Sequence, residues 1–377
     1  MTMDRNVPVC IDGRLLNDGG AGTGVAQYAR TLVSALRLAG RPPMILDDGG
    51  SHARRSDYDK RMVALRPWPR KAVANAKGYW ARDIFREAHV FFSLYKKPMP
   101  IDLPGQPGVM HWTYPLPMRI RGWRNIYTVH DVMPLDPGVP TPVNGLRLRT
   151  ILDMLRADGG DFVTVSEAAH AQITAAMGWP KDEVIPCHQG VDVAGMEQGT
   201  LPSGLKSGGY LLYIGAVEAR KNLTGLLEAY RFSGLRTPLV ISGPDGLDAT
   251  YIDALIQATP GAMRLGLQAR DTVLQLIANA KALILVSLAE GFGVPVVEAM
   301  ALGTPVLSSN VPALAEIGAG ATLQVDPLDP AQLRDGLIAI DSHLSLRDEL
   351  IARGLQRSRY FELEPYAQRL LKLYGMA

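Results

Sequence analysis

Apolar and polar positions alternate along this chain with two periods. VPVCIDG (7–13) is a strand-length apolar run. The glycine cluster NDGGAGTG (17–24) follows, and VAQYARTLVSALRLAG then carries apolar residues at helical spacing up to Gly40. Strand, glycine loop and helix form the opening unit of a doubly wound parallel sheet. HVFFSL (89–94), NIYTVHD (125–131) and DFVTVS (161–166) read as further strands, and EAAHAQITAAMG reads as the helix after the last.

The pattern breaks over 191–209, VDVAGMEQGTLPSGLKSGG, a stretch rich in Gly, Ser and Pro that reads as a linker. Alternation then restarts. YLLYIGAV (210–217), PLVISGP (238–244), KALILVSL and TPVLSS are expected strands. NLTGLLEAYRFSG, a segment from Ala249, DTVLQLIANA, VPVVEAMALG and a region from Pro330 are expected helices. Two βα-alternating halves predict two Rossmann-like sheets, with ligands outside the carboxyl ends of the strands.

Composition narrows the class. A chain of 377 residues exceeds one ordinary core, and 47% hydrophobic with 20% charged residues is the profile of a packed enzyme. A net charge of +2 gives no argument for nucleic acid. Cys10 and Cys187 lie far apart without CxxC spacing, which suggests neither a disulfide framework nor a zinc site and fits a cytoplasmic location. MTMDRNVPVC does not read as a signal peptide, and no window reaches the length of a membrane span.

Chemistry concentrates in EGFGVPVVEAMALGTPV, where Glu290 and Glu298 flank an apolar run. An unpaired buried charge costs several kcal/mol, so something must meet these carboxylates. Gly291 and Gly293 free the backbone to turn and Pro295 suits a first helical turn, so both carboxylates can face one site. The bland alternative makes Glu298 a helix-start carboxylate and Glu290 a solvated turn residue. A glycosidase carboxylate pair is disfavoured, because the spacing does not place the groups across a sugar.

The run EGFGVPVVEAMALGTPVLSSNVPALAEI resembles the E-x7-E signature of retaining glycosyltransferases of family 4 (group 1). YLLYIGAVEARKNLTGLLEAY resembles the family's Arg-Lys segment, GRLLNDGGAGTGVAQYARTLVSAL its N-terminal glycine loop, and TVHDVMPL its histidine segment. VTVSEAAH and HQGVD resemble later markers, so the likeness covers essentially the whole chain in order. It implies a GT-B α/β fold, two Rossmann-like doubly wound domains facing an interdomain cleft. The expected domains are residues 1–195, an acceptor-side domain completed by a C-terminal helix over 360–377, and residues 205–358, which bind a nucleotide-sugar. Departures are Ala219 where proline is common, Gln189 where asparagine is usual, and Leu363 where tryptophan is frequent.

The resemblance also implies roles. Arg220 and Lys221 would neutralise the donor diphosphate, Glu298 would bind ribose hydroxyls, and Glu290 would face the donor sugar near the reacting centre. His130 would lie near that sugar. Gly22, Thr23, Gly24, Gly215, Phe292, Gly293, Val294 and Ser166 complete the candidate donor contacts. No metal or cofactor is expected, since the cation pair serves the leaving group and DPLDP (326–330) reads as structural. The expected chemistry is a front-face substitution that retains anomeric configuration, the departing phosphate helping to deprotonate the acceptor hydroxyl. The expected donor is a GDP-sugar, GDP-mannose or a related deoxyhexose, with UDP-sugars as an alternative. The acceptor would be a glycan or a polyprenyl-diphosphate-linked glycan of O-antigen or exopolysaccharide assembly. A non-catalytic glycan- or partner-binding subunit is the competing class; a GT-B epimerase is disfavoured because its motifs are absent.

Residues 54–86 interleave Arg54, Arg55, Lys60, Arg61, Arg66, Arg70, Lys71, Lys77, Arg82 and Arg86 with Trp68, Tyr79, Trp80 and Phe85. Asp57, Asp59 and Asp83 are the acidic residues within the stretch, and RIRGWRN (119–125) adds further cations. Such a patch suits a peripheral contact with the inner face of the plasma membrane, or equally a solvated face. No nucleic-acid-binding motif is found.

Overall fold

The computed structural model describes residues 7–16, 24–50, 54–139, 141, 143–194, 196 and 200–376. These fall into two compact units, one comprising residues 1–136, 143–190 and 363–377, the other 137–142 and 191–362.

The first unit contains β1 (Val9–Asp12), β2 (Met44–Asp47), β3 (Arg70–Lys71), β4 (Val73–Asn75), β5 (Gly78–Trp80) and β6 (Met99–Asp102). It continues with β7 (Val109–Trp112), β8 (Met118–Ile120), β9 (Arg124–Val129), β10 (Asp161–Thr164) and β11 (Val184–Pro186). Eight of these form one sheet in the order β11-β10-β9-β7-β1-β2-β5-β4, parallel except for the β4–β5 edge hairpin. The strands β3, β6 and β8 make a small separate parallel sheet. All four residues of β1 and of β7 are buried, as strands covered on both faces should be. The strand order reverses between β1 and β7, in register Ile11 to His111.

One expected strand is a helix. HVFFSL (89–94) lies within the helix Ile84–Tyr95, whose buried residues include Ile84, Phe85, Ala88, Phe91 and Phe92. That is an i, i+4, i+7 stripe; the six-residue window cut out its second half and hid the 3.6-residue period. The C-terminal helix Leu363–Tyr374 packs within the first unit against the helix Gly24–Leu38.

The second unit is one six-stranded parallel sheet of β12 (Leu211–Ile214), β13 (Leu239–Ser242), β14 (Ala262–Gly266), β15 (Ala282–Leu285), β16 (Val306–Ser309) and β17 (Leu323–Val325). Its order is β14-β13-β12-β15-β16-β17, the 3-2-1-4-5-6 arrangement of a Rossmann sheet. The described residues of the stretch 191–209 are fastened to it. Val191 N donates to Phe361 O (2.8 Å), Met196 O accepts from Gln275 Nε2 (2.7 Å), and Gly208 N donates to Asn279 O (2.8 Å). DPLDP has a structural task, because Asp329 caps the helix Pro330–Ser342 by accepting from Ala331 N and Gln332 N.

Candidate active site

In the second unit the strand order reverses between β12 and β15, so the loops leaving these neighbours emerge side by side, where open α/β sheets place their ligands. The loop after β12 runs through Gly215 and Glu218 into the short turn Ala219–Lys221; the loop after β15 carries Ser287 and Glu290. A backbone bond from Leu288 N to Arg220 O (2.8 Å) joins them.

Here the chain answers the question raised by its carboxylates. Lys221 Nζ forms an ion pair with Glu290 Oε1, and Ser287 Oγ donates to the same oxygen at 2.8 Å. Arg220 Nη1 lies 3.8 Å from Glu290 Oε2, while its Nε donates to Glu218 Oε2 at 2.8 Å. Glu290 is 9% exposed. Burial pushes its carboxyl pKa up, but Lys221, Arg220 and the hydrogen bonds from Lys221 and Ser287 outweigh that and hold it below the ordinary value. The group is therefore an ionised acceptor at neutral pH.

Glu298 sits on the helix Val294–Ala301, 2% exposed, where Arg270 Nη1 meets its Oε1 at 2.5 Å. Arg270 also donates from Nη2 to Asp192 O (2.8 Å), so residues just after Gly190 help to hold the pair. Pro295 lies in the first turn of that helix, as its sequence position predicts. Gly293 has φ 101°, and a Cβ there would come within 2.4 Å of Leu314 Cδ2. Glycine is thus required for both backbone conformation and space. Phe292 is buried edge-on against Phe361, with ring centroids 5.6 Å apart, and Val294 begins the helix. Gly215 donates its N–H to Ser242 O (3.0 Å), and a Cβ there would lie 2.8 Å from Tyr213 Oη. The departure at Ala219 has a use, since its amide donates to Asp248 Oδ2 (2.8 Å), a bond proline could not make.

The first unit holds the remaining candidates. His130 follows β9, and its Nε2 donates to the Thr113 carbonyl at 2.9 Å. A carbonyl only accepts, so Nε2 carries the proton and Nδ1 is an acceptor. Burial lowers the pKa of His130 to about 4, keeping it neutral. Its ring stands edge-on to Tyr28, centroids 4.8 Å apart. Asp131 Oδ1 accepts from Met133 N in the following turn. Ser166 is fully buried and caps the helix Glu167–Met177, its Oγ accepting from Ala169 N at 3.0 Å. Gly24 begins the helix Gly24–Leu38 with no neighbour within 4 Å of an added Cβ; Gly22 and Thr23 lie outside the described residues.

Within this unit the structure reveals a buried polar network. His111 Nδ1 lies 2.6 Å from Tyr374 Oη and its Nε2 2.7 Å from Thr128 Oγ1, while Tyr28 Oη is 2.9 Å from Thr128 Oγ1. Burial lowers the pKa of His111 to about 3, so the network is uncharged. Thr113 N donates to Asp12 Oδ2 at 2.5 Å, so the Thr113 backbone is held by Asp12 and itself holds His130. Sequence reasoning missed Arg270, Ser287, Asp12, Tyr28 and His111. Asp12 alone left a signal, a carboxylate ending an apolar strand.

The basic stretch is less free than its composition suggests. Arg55 and Arg70 both pair with the buried Glu87, one residue beyond it, and Lys60 pairs with Asp57. Tyr79 and Phe85 are buried, whereas Tyr58, Met62, Leu65, Trp68 and Val73 are exposed. No helix among the described residues is long and apolar enough to cross a membrane, and among them no three metal-ligating side chains converge.

Two Rossmann-like sheets, the second with paired carboxylates and cations at its switch point, define an α/β protein of the GT-B fold. The model of the family described as Glycosyl transferases group 1 matches residues 204–357. Among curated proteins the chain is 34% identical over 175 residues to the O-antigen chain mannosyltransferase B of Escherichia coli, covering 45% of this chain and 46% of that protein. It is 26% identical over 232 residues to a phosphatidyl-myo-inositol mannosyltransferase of Mycobacterium tuberculosis, covering 56% and 58%. The chain thus spans about half the length of the curated relatives it matches. Among solved structures, the sucrose-phosphate synthase of Thermosynechococcus elongatus superposes with TM-score 0.70 at 18% identity, covering 98% of each chain. Anabaena HepE in complex with UDP and glucose superposes with TM-score 0.68 at 13% identity, covering 99% of this chain and 100% of that one. At these identities the structures establish the shared fold.

Proposed function

We propose that this chain is a retaining hexosyltransferase that moves mannose, or a related deoxyhexose, from a GDP-linked donor to a glycan or lipid-linked glycan acceptor in cell-surface polysaccharide assembly. The carrying observation is the Lys221–Glu290 pair across the β12/β15 switch point, with Arg220 at its side. Two fixed cations there can take the charge of a departing diphosphate, and an ionised Glu290 can accept from sugar hydroxyls. Glu298, held by Arg270, is the group we assign to the ribose hydroxyls. His130, neutral with Nδ1 as acceptor, suits a ligand hydroxyl at the first unit, and we assign it no proton transfer. The mannose preference follows the mannosyltransferase relatives, one of them acting on an O-antigen chain. Tyr58 and Trp68, exposed on the first unit beside the cations of residues 54–86, support a peripheral membrane contact there.

The test is release of GDP from GDP-mannose by the purified chain, with NMR of the product's anomeric proton. An α-linked product formed by wild type and lost in Glu290→Gln supports the reading. Turnover of UDP-sugars alone would replace the donor. Absence of turnover with every nucleotide-sugar and acceptor lipid extract would favour a binding subunit.

A further inference from the structure

Arg14 stands two residues beyond Asp12 at the carboxyl end of β1, beside the reversal of strand order with β7. Among the described residues its guanidinium makes no ion pair and no hydrogen bond; it rests on the face of Tyr114, its Cζ 5.4 Å from the ring centroid. Its Nε is buried and without an acceptor, a condition that costs about 1–3 kcal/mol for an ordinary polar group and more for a charged one. Asp12 relieves it only in part: the two charges attract, but Oδ2 is engaged by the Thr113 amide and Oδ1 has no hydrogen-bond partner, so neither oxygen accepts from the guanidinium.

The surroundings favour an anion in Arg14's place of need. The field of Arg14 reaches His89, Tyr114 and His130, so these groups share one neighbourhood. Arg147 acts on His89 as well, with its Nη2 donating to His89 O (3.2 Å) and its Nη1 to Ser93 Oγ (3.3 Å). The opposing charges are Asp12, turned to Thr113, and Asp131, one oxygen of which accepts from Met133 N. The backbone is closely packed here too. A Cβ on Gly13 would lie 2.8 Å from Ile45 Cγ2, so Arg14 leaves the strand from a tightly packed position.

We propose that Arg14 is the anchor of an oxyanion subsite on the first unit, taking a phosphate group of the ligand through its Nε–H and an adjacent N–H. Guanidinium presents two parallel donors matched to phosphate oxygens, which an ammonium does not. The bearer of that phosphate is the acceptor or the donor; this last identification, and nothing else in the assignment, rests on the transfer reading above.

The experiment follows the Arg14 Nε–H signal by proton–nitrogen NMR, assigned by its loss in Arg14→Lys, while inorganic pyrophosphate or GDP is titrated into the intact chain. A saturable shift with pyrophosphate, not reproduced by sodium chloride at equal ionic strength, is expected. If GDP also moves the signal and Arg14→Gln weakens GDP binding about tenfold or more, the donor supplies the phosphate. A response to pyrophosphate with GDP binding unchanged in Arg14→Gln assigns it to the acceptor. A signal that ignores both ligands, or that chloride moves equally, overturns the subsite. Failed sugar transfer with a responding Arg14 would remove the transfer reading and leave the subsite standing.

Discussion

The two units solve one problem, burying polar groups at the ends of a parallel sheet, in opposite ways. In the second, the groups are charged and paired, Lys221 with Glu290, Arg220 with Glu218, Arg270 with Glu298. In the first, the network of His111, Thr128, Tyr28 and Tyr374 is neutral, and its members are held by mutual hydrogen bonds. A neutral network keeps one arrangement and demands no ligand. Charged pairs hold their groups aligned, and on the function proposed above they would exchange partners when a diphosphate and sugar hydroxyls arrive.

The largest expected effect comes from splitting a charged pair. Lys221→Ala leaves the buried Glu290 with only Ser287 Oγ and the more distant Arg220, which should cost about 3 kcal/mol in a urea melt and lower sugar transfer by about 10³-fold. Replacing both partners, Lys221→Met with Glu290→Leu, should recover most of the stability and none of the transfer. If the double variant remains as unstable as the single, the pair is not the local unit described here.

Glu298→Ala removes the proposed ribose acceptor. Donor KM should rise by about a hundredfold, the worth of one or two charge-assisted hydrogen bonds, with far less change in kcat. An unchanged donor KM in initial-rate kinetics would detach Glu298 from the nucleoside.

Acid should find the first unit through its histidines. The folded-state pKa values of His111, His130 and His89, about 3, 4 and 4, lie below the unfolded value of 6.5. The unfolded chain therefore binds more protons as pH falls from 6.5 towards 4, and stability declines across that window, by about 1.4 kcal/mol per pH unit for each such group. His111→Gln should reduce the slope of stability against pH by one proton, and a slope equal to wild type would contradict its burial as a neutral group. Glu290 adds to the decline at lower pH. Its folded pKa is depressed, so its stabilising pairing is present above the unfolded carboxylate value and lost as pH falls through the folded one.

The smallest effect belongs to a single hydroxyl. Tyr374→Phe deletes the partner of His111 Nδ1 and should cost about 1–3 kcal/mol in thermal unfolding, with the donor KM untouched. A change in donor KM would show that the neutral network shapes the ligand site directly.

Much was legible in the chain because it was local. Four of the six second-unit strands, β12, β13, β15 and β16, read as short apolar runs, whereas β14, broken by Arg264, and the three-residue β17 did not. Glu290 on its loop and Glu298 on the next helix could be placed because glycine and proline fix how a strand hands over to a helix. Where a short window concealed a period, as over 89–94, the reading failed. The basic stretch looked unopposed because Glu87, which takes up both Arg55 and Arg70, lies just outside it.

By itself the sequence determined periodicity, turns and caps, since these depend on residues within a few positions of one another. Ser166 and Asp329 at their helix starts are examples. Only tertiary structure decided which distant groups share a low-dielectric environment. Glu290 meets Lys221 across 69 positions, Glu298 meets Arg270 across 28, and His111 meets Tyr374 across 263. Charge and hydrogen-bonding energies depend on separations in space, and the order of strands in the two sheets sets those separations.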